Sequence, residues 1–539
     1  MKKKNYIFYD ATDFIKSYLS GDIDRMIDKY EKELTAVDTT KLSEEEKISY
    51  HIIEWECKIG KELLKQPANL MPVHQFWGTH LVMGQLAGGT GAQPFKTEKD
   101  YTNFLKRMDK YAVWIDSAMV YMKKGIKQGA VLPKALTIKM IPQFAEMPTP
   151  KIEDNLFYSA IKLMPNTFSE AVKKDLTAKY TATIKDKLIP QYKKMTDFLK
   201  NEYLPASRTT SGIGSLAFGK ELYAAYAKAY TTTEMTPEEI HELGLKEVAR
   251  LNAEMEKVKN QVGFKGTLLA FFEEVRNKKE LKPFTKPEQV IANFESIYER
   301  IKPNVNRLFL LQPKTKFEIR RTEAFREKTG SAEYNQGLAD GSRPGIFYVP
   351  IPDVKNYNVY GDEDLFLHEA IPGHHFQISL QQENKNLPDF RKFSGFGAYV
   401  EGWALYTESL GKELGLYQDP YQYFGMLSNE MHRAIRLVVD TGIHSKGWTR
   451  EQAIDYSLAN EAESEASIIP EIERYMAIPG QALSYKIGQL KIIELRKKAE
   501  AKMGTKFDIK KFHEKVLESG ALPLALLEKK INAWIKAEQ

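Results

Sequence analysis

Eight consecutive residues, His368-Glu369-Ala370-Ile371-Pro372-Gly373-His374-His375, gather side chains able to hold and use a divalent metal. Imidazole and carboxylate are zinc ligands, and hydrolysis by metal-activated water also needs a carboxylate beside the ion to accept a proton. A second stretch begins 27 residues after His374 and reads Glu401-Gly402-Trp403-Ala404-Leu405-Tyr406-Thr407-Glu408. It offers a carboxylate on a helix, at a separation suited to a third ligand.

In the ordinary His-Glu-x-x-His arrangement the histidines stand at i and i+4, about 400° of rotation and roughly 6 Å of rise apart, so both rings reach one ion. Here position i+4 is Pro372, which binds no metal. In a regular helix His374, at i+6, would be rotated about 240° from His368, and His375, at i+7, would return to the right face roughly 10 Å along the axis. A regular helix is not expected, because Pro372 lacks an N–H and crowds the carbonyl of His368, while Gly373 accepts unusual dihedrals. A break there brings the Gly-His step back to the metal. It favours His374 as the second ligand, leaving His375 behind the site or facing substrate. Glu369 is the candidate general base, taking a proton from the attacking water and delivering it to the leaving amine. Leu365, Phe366, Leu367, Ile371 and Phe376 mark the segment as buried, and buried histidines need partners.

Glu401 and Glu408 lie seven residues apart and share a helix face. Either can be the third ligand. Glu401 could bind the metal while Glu408 orients a ligand histidine; the alternative is ion pairing with Arg433 or Arg436. The helix expected over 399–414 is largely buried, and Gly402 admits close approach of another helix. A tetrahedral intermediate needs a donor for its oxyanion, and Tyr475, Tyr485 and His444 are candidates. Arg436, Arg474 and Lys486 could hold a terminal carboxylate. Arg343, in the Ser342-Arg343-Pro344-Gly345 loop, either touches substrate or braces the loop. His51, His74, His80, His241 and His513 have no partner pattern and read as structural or exposed.

Helices must carry most of these groups. Capping boxes read as Ser43-x-x-Glu46, Thr236-Pro237-Glu238-Glu239, Thr285-x-x-Glu288 and Thr449-x-x-Gln452. Residues 238–262 form a long charged amphipathic helix with Ile240, Leu243, Val248, Leu251 and Met255 at helical spacing, and 155–202, 290–310 and 484–501 read alike. Strand patterns are confined to 316–321 and 345–351. Both precede the His-Glu motif, either as a small sheet flanking a cleft or as a hairpin on a helical protein.

Composition narrows the function classes. The chain has 539 residues, 42% hydrophobic and 28% charged, as in soluble globular proteins. The net charge of +6 arises from 78 basic and 72 acidic residues without a dense basic block, which argues against nucleic-acid binding. Cys57 is the single cysteine, so no internal disulfide forms. No apolar run is long enough to span a membrane. Met1-Lys2-Lys3-Lys4 resembles the start of an export signal, but Asp10, Asp13 and Lys16 interrupt the apolar core such a signal needs. Cytoplasm and periplasm both stay open. Gly88-Gly89-Thr90-Gly91 lacks the Gly-Lys-Ser/Thr of a phosphate loop.

Taken together, His-Glu-Ala-x-Pro-Gly-His-His, Glu-Gly-Trp-Ala-Leu-Tyr and Arg-Leu-Val-Val-Asp-Thr-Gly-x-His resemble the bacterial DUF885 family, which is placed with zinc metallopeptidases of the gluzincin type. The Gly-His step is also similar to the His-Glu-x-Gly-His of helical peptidases such as angiotensin-converting enzyme and thimet oligopeptidase, and to the His-Glu-x-x-Gly-His of dipeptidyl peptidase III. The resemblance implies His368, His374 and Glu401 as ligands of one Zn2+ ion, and Glu369 as base. It implies a mainly α, large helical metallopeptidase-like fold with a small β-sheet beside the active-site cleft. A helical N-terminal region, 1–235, and a catalytic helical region, 236–539, are expected as one integrated unit. The expected activity is zinc-dependent cleavage of peptide bonds in short peptides admitted to a deep channel. The alternatives are a non-catalytic metal- or peptide-binding protein on the same scaffold and a zinc hydrolase of non-peptide amides or esters.

Overall fold

The computed structural model describes residues 23–538 apart from 90–92, 325–326 and 328–329. Residues 1–4, Asp10, Asp13 and Lys16, which carry the export-signal reading, lie outside the described residues, as do Thr90 and Gly91 of the glycine loop. Among the described residues the chain is mainly helical with one three-stranded sheet, and no helix is long and apolar enough to cross a membrane.

The elements that frame the candidate site are α1 (Pro237–Gln261), α2 (Pro287–Leu308), β1 (Phe317–Arg321), β2 (Glu333–Asn335), β3 (Gly345–Val349), α3 (Asp362–Glu369), α4 (His374–Glu383), α5 (Gly397–Glu408), α6 (Pro420–His444), α7 (Glu465–Ala477) and α8 (Ser484–Met503). The caps explain several of the helix starts. Thr236 Oγ1 accepts from Glu239 N–H, and Glu239 returns a carboxylate oxygen to Thr236 N–H. The same exchange holds Ser43 with Glu46 and Thr449 with Gln452. The box expected at Thr285 is shifted by one residue. Pro287 opens α2, so Gln289, not Glu288, accepts from the N–H groups of Thr285 and Lys286 at 2.8 and 2.9 Å. The helix expected over 155–202 is interrupted after Lys162; Ser169 caps a new start, which runs on through two π-helical turns.

The sheet has the order β1-β3-β2. β1 and β3 pair in parallel, with Phe317 opposite Gly345, so they do not form a hairpin. β2 pairs antiparallel to β3; with three residues it is too short to show alternation in the sequence. β3 stops at Val349 because Pro350 offers no ladder N–H. The sheet rests on α2 and α3 through Phe347 on Phe294 (ring centroids 5.2 Å apart) and Phe317 on Phe366 (6.2 Å).

Among the described residues, two large apolar clusters and a small one at Ile213, Leu222 and Tyr223 fill the interior. One large cluster lies within residues 73–203. The other runs from Ala227 to Ile535, takes in Ile52 and Leu136 from the N-terminal part, and surrounds the helices that carry the candidate ligands. Within it α5 and α8 meet at Gly402 and Gly488, where a methyl on either residue would overlap the other helix's backbone.

Candidate metal centre

The break in the histidine segment falls where Pro372 and Gly373 require it. α3 ends at Glu369, Ala370 turns out of helical conformation (φ −107°, ψ −105°), and α4 starts at His374 after Gly373 (φ −76°, ψ −129°). Gly373 passes so close to α3 that a methyl there would overlap the carbonyl oxygens of Leu367 and His368. α5 braces both sides of this turn. Trp403 Nε1–H donates to the carbonyl of Pro372 at 2.8 Å, and Thr407 Oγ1–H donates to that of Leu367 at 3.0 Å. The outcome is that His368 and His374, six residues apart, meet edge to face with ring centroids 4.7 Å apart.

Glu401 completes a cluster. Its Oε2 lies 3.7 Å from His368 Nε2 and 3.6 Å from His374 Nε2. The three ligand atoms fall within 4.8 Å of one another, so this group could hold a metal ion. Ligand bonds of about 2.0–2.2 Å in tetrahedral geometry separate two donors by roughly 3.3–3.6 Å, close to the spacing of Glu401 from each histidine. The separations are also too long for direct hydrogen bonds, so the atoms converge without satisfying one another. Two imidazole nitrogens and a carboxylate oxygen suit zinc.

Glu408, one face-repeat along α5, takes the other side of His368, with Oε1 2.6 Å from Nδ1. An ionised carboxylate only accepts, so Nδ1 carries a proton, which leaves Nε2 as the nitrogen whose second proton a metal ion would displace. Burial opposes charge on His368, but Glu401 and Glu408 outweigh it and raise its pKa to about 10. Burial likewise works against ionised Glu401, yet His368 and His374 hold its carboxyl far below the usual range. Burial raises Glu369 above the usual carboxylate range, offset by the charges of His368 and His374.

His375 points elsewhere. Its Nδ1 lies 3.0 Å from the Tyr334 hydroxyl, and its ring packs on Phe317 at 4.9 Å; burial depresses its pKa to about 4. It joins α4 to the sheet rather than to the ligand cluster. Tyr334 was not picked out from the sequence, because β2 has no legible pattern. The helix expected over 399–414 ends at Glu408, where Tyr417 O–H donates to the Glu408 carbonyl at 2.9 Å and its ring takes the space beside Gly411. Neither Arg433 nor Arg436 pairs with Glu401 or Glu408.

Several candidate substrate groups are already occupied. His444 accepts from Ile213 N–H at 3.0 Å and donates to the Tyr475 carbonyl at 2.9 Å, so neither ring nitrogen is left for an oxyanion. Burial lowers its pKa to about 3. Tyr475 donates to Glu471 at 2.8 Å and accepts from Arg436 at 3.0 Å. Arg474 is tied to Glu471 at 2.9 Å and to Gln481 at 2.5 Å. Arg343 donates to the Gln336 carbonyl at 2.9 Å and braces its loop. The Tyr485 hydroxyl accepts from Gln481 at 3.5 Å and has no acceptor for its own proton among the described residues.

Lys486 is fully buried, 2.5 Å from Glu430 and 3.1 Å from Glu247. With Gln489 as a further acceptor at 2.8 Å, its ammonium is committed within the fold. Lys486→Met is expected to cost about 3 kcal/mol of stability, because it strips a buried partner from two carboxylates while Arg250 compensates in part. Urea denaturation checks this; a role in binding would instead leave the transition midpoint in place.

No curated protein matches the chain. The family described as "Bacterial protein of unknown function (DUF885)" matches residues 13–531. The crystal structure of a "putative lipoprotein" from Colwellia psychrerythraea is similar with a TM-score of 0.87 at 28% identity, over 95% of this chain and 90% of that one. The structure of a "putative lipoprotein of unknown function" from Shewanella oneidensis is similar with a TM-score of 0.72 at 20% identity, over 94% and 91%; at that identity the likeness is one of fold.

Proposed function

The chain belongs to the bacterial DUF885 family, and we propose that it is a zinc-dependent, gluzincin-like peptidase acting on short peptides in a helical metallopeptidase-like fold. One observation carries this reading: His368 Nε2, His374 Nε2 and a Glu401 oxygen converge within 4.8 Å, with the acid Glu369 next in the chain to His368. Zinc held there supplies Lewis acidity, lowering the pKa of a water toward about 7 and polarising the scissile carbonyl. Glu408 fixes the tautomer and ring of His368, the usual duty of a carboxylate behind a ligand histidine. Glu369 takes the proton of the attacking water and passes it to the leaving amine. Its burial favours the protonated form, which brings its proton affinity nearer the working pH of a general base. Tyr485 is the donor for the developing oxyanion, since its hydroxyl proton is uncommitted while Tyr475 and His444 are engaged.

The test is digestion of a defined peptide library read by mass spectrometry, with chelator-treated and zinc-restored protein in parallel. New termini that vanish with chelator and return with zinc are expected. Peptide binding without cleavage would leave only the non-catalytic alternative, and cleavage indifferent to chelator would sink the metal mechanism.

A further inference from the structure

We propose that Arg433 and Arg436 anchor the substrate's C-terminal carboxylate, making the chain an exopeptidase that cuts one or two residues from that end. The inference rests on the peptidase reading of the metal cluster and adds its end specificity.

The placement follows from how α6 runs beside α3. Gly425 sits against Tyr360, where a methyl would overlap the Tyr360 carbonyl. One turn on, Asn429 Nδ2–H donates to Asp364 Oδ2 at 2.7 Å. Both pairs are separated by 65 residues (425 − 360 and 429 − 364), so the two helices advance in parallel and in step. Continued one turn further, the same step brings Arg433 level with His368, again 65 residues apart. α3 then stops at Glu369 while α6 continues, so Arg436 lies about 4.5 Å further along the axis, past the end of α3.

Both guanidinium groups have unfilled donors. Arg433 Nη1 donates to the carbonyl and side-chain oxygens of Asn429 at 3.2 and 3.3 Å, but its Nε is buried without a partner. It pairs with no carboxylate among the described residues. Arg436, 8% exposed, donates from Nε to Tyr475 and from Nη2 to Glu471 at 3.1 Å, while Nη1 is buried and unpartnered. Tyr485 lies under its guanidinium at 4.5 Å. Around them Glu471 serves Arg436 and Arg474 and approaches His432 at 3.6 Å, and Glu461 takes the other side of His432 at 2.5 Å. Two guanidinium groups and a histidine thus share two carboxylates, and Arg433 draws on neither.

Leaving buried charged donors unmade is costly, and the ligand that fits them is a planar anion with two oxygens. An extended residue spans about 3.3–3.6 Å, so a carboxylate held between these two arginines lies one or two residues from a bond cleaved at the metal. An acidic side chain offers the same chemistry from another source, and the experiment separates the two.

An N-acetylated peptide with a free C-terminus, its C-terminal amide, and an amide carrying a C-terminal glutamate are compared on the zinc-loaded full chain. Turnover is followed with the unaltered protein, and binding by calorimetry in a Glu369→Gln background. The free acid is expected to be favoured over the plain amide by about tenfold or more, with the glutamate amide behaving as the plain amide does. Arg433→Gln, at a half-buried site, should narrow the acid-to-amide ratio to within about twofold. Equal treatment of acid and amide, a glutamate amide as good as the acid, or a preference that survives Arg433→Gln would each overturn the proposal. Preferential binding of the acid that Arg433→Gln abolishes, without any hydrolysis, would uphold the carboxylate anchor and remove the peptidase reading instead.

Discussion

If the chain is the proposed zinc peptidase, Glu369→Gln is expected to lower peptide turnover by about 10²–10⁴-fold, the range general acid–base catalysis supplies, without loss of bound zinc. The side chain is one residue from a candidate ligand yet outside the ligand cluster. Its amide would fill the same space but could not accept the proton of the attacking water. Zinc content by atomic absorption and single-turnover rates on one cleaved peptide give the two readouts. A variant that keeps its zinc and cleaves at the unaltered rate would take Glu369 out of the mechanism; one that loses the metal would make it a ligand or a brace. His374→Ala serves as contrast, since it removes a donor and should release the ion.

Gly373→Ala is expected to have the largest effect of any single methyl at this centre. The added carbon would overlap two main-chain oxygens, those of Leu367 and His368, and backbone cannot swing aside as a flexible side chain can. Overpacking of this kind costs about 1–3 kcal/mol and occasionally more, and its effect here falls on the turn that presents both imidazoles. A lowered thermal midpoint together with zinc affinity reduced at least about tenfold is the expected result. A variant that melts and binds zinc as the parent does would show that the turn can be remade without glycine. Ala370, two residues ahead of Pro372, gives the control: it already carries a methyl and is fully buried, so Ala370→Gly should leave the metal in place.

Much of the site could be read in the chain because its determinants are local. Pro372 and Gly373 foretell a broken helix, and the break sends the two neighbouring histidines different ways: His374 reaches Glu401, and His375 reaches Tyr334. The seven-residue interval from Glu401 to Glu408 foretells one helix face, and those two carboxylates do flank His368. The helical character and two of the three strands were legible from periodicity. What escaped depends on distant partners. Nothing near Lys486 announces Glu247 and Glu430 as its company, and nothing near His444 announces Ile213. A charged or ring side chain in a helix has the same local signature whether it faces a ligand or closes a tertiary contact. Arg433 illustrates the converse: it reads in the sequence as a bracing residue for the glutamates, and only the in-step packing of α3 and α6 puts it one turn past the Asn429–Asp364 pair.

α5 does more than lend a ligand. One short helix supplies Glu401, steadies His368 through Glu408, and clasps the turn at Pro372 and Leu367 through Trp403 and Thr407. It is itself pressed against α8 at a glycine-to-glycine crossing. A socket wired through a single buried rod is expected to be set before any occupant arrives, so that a cation would enter with little rearrangement of the scaffold and its removal would leave the architecture standing.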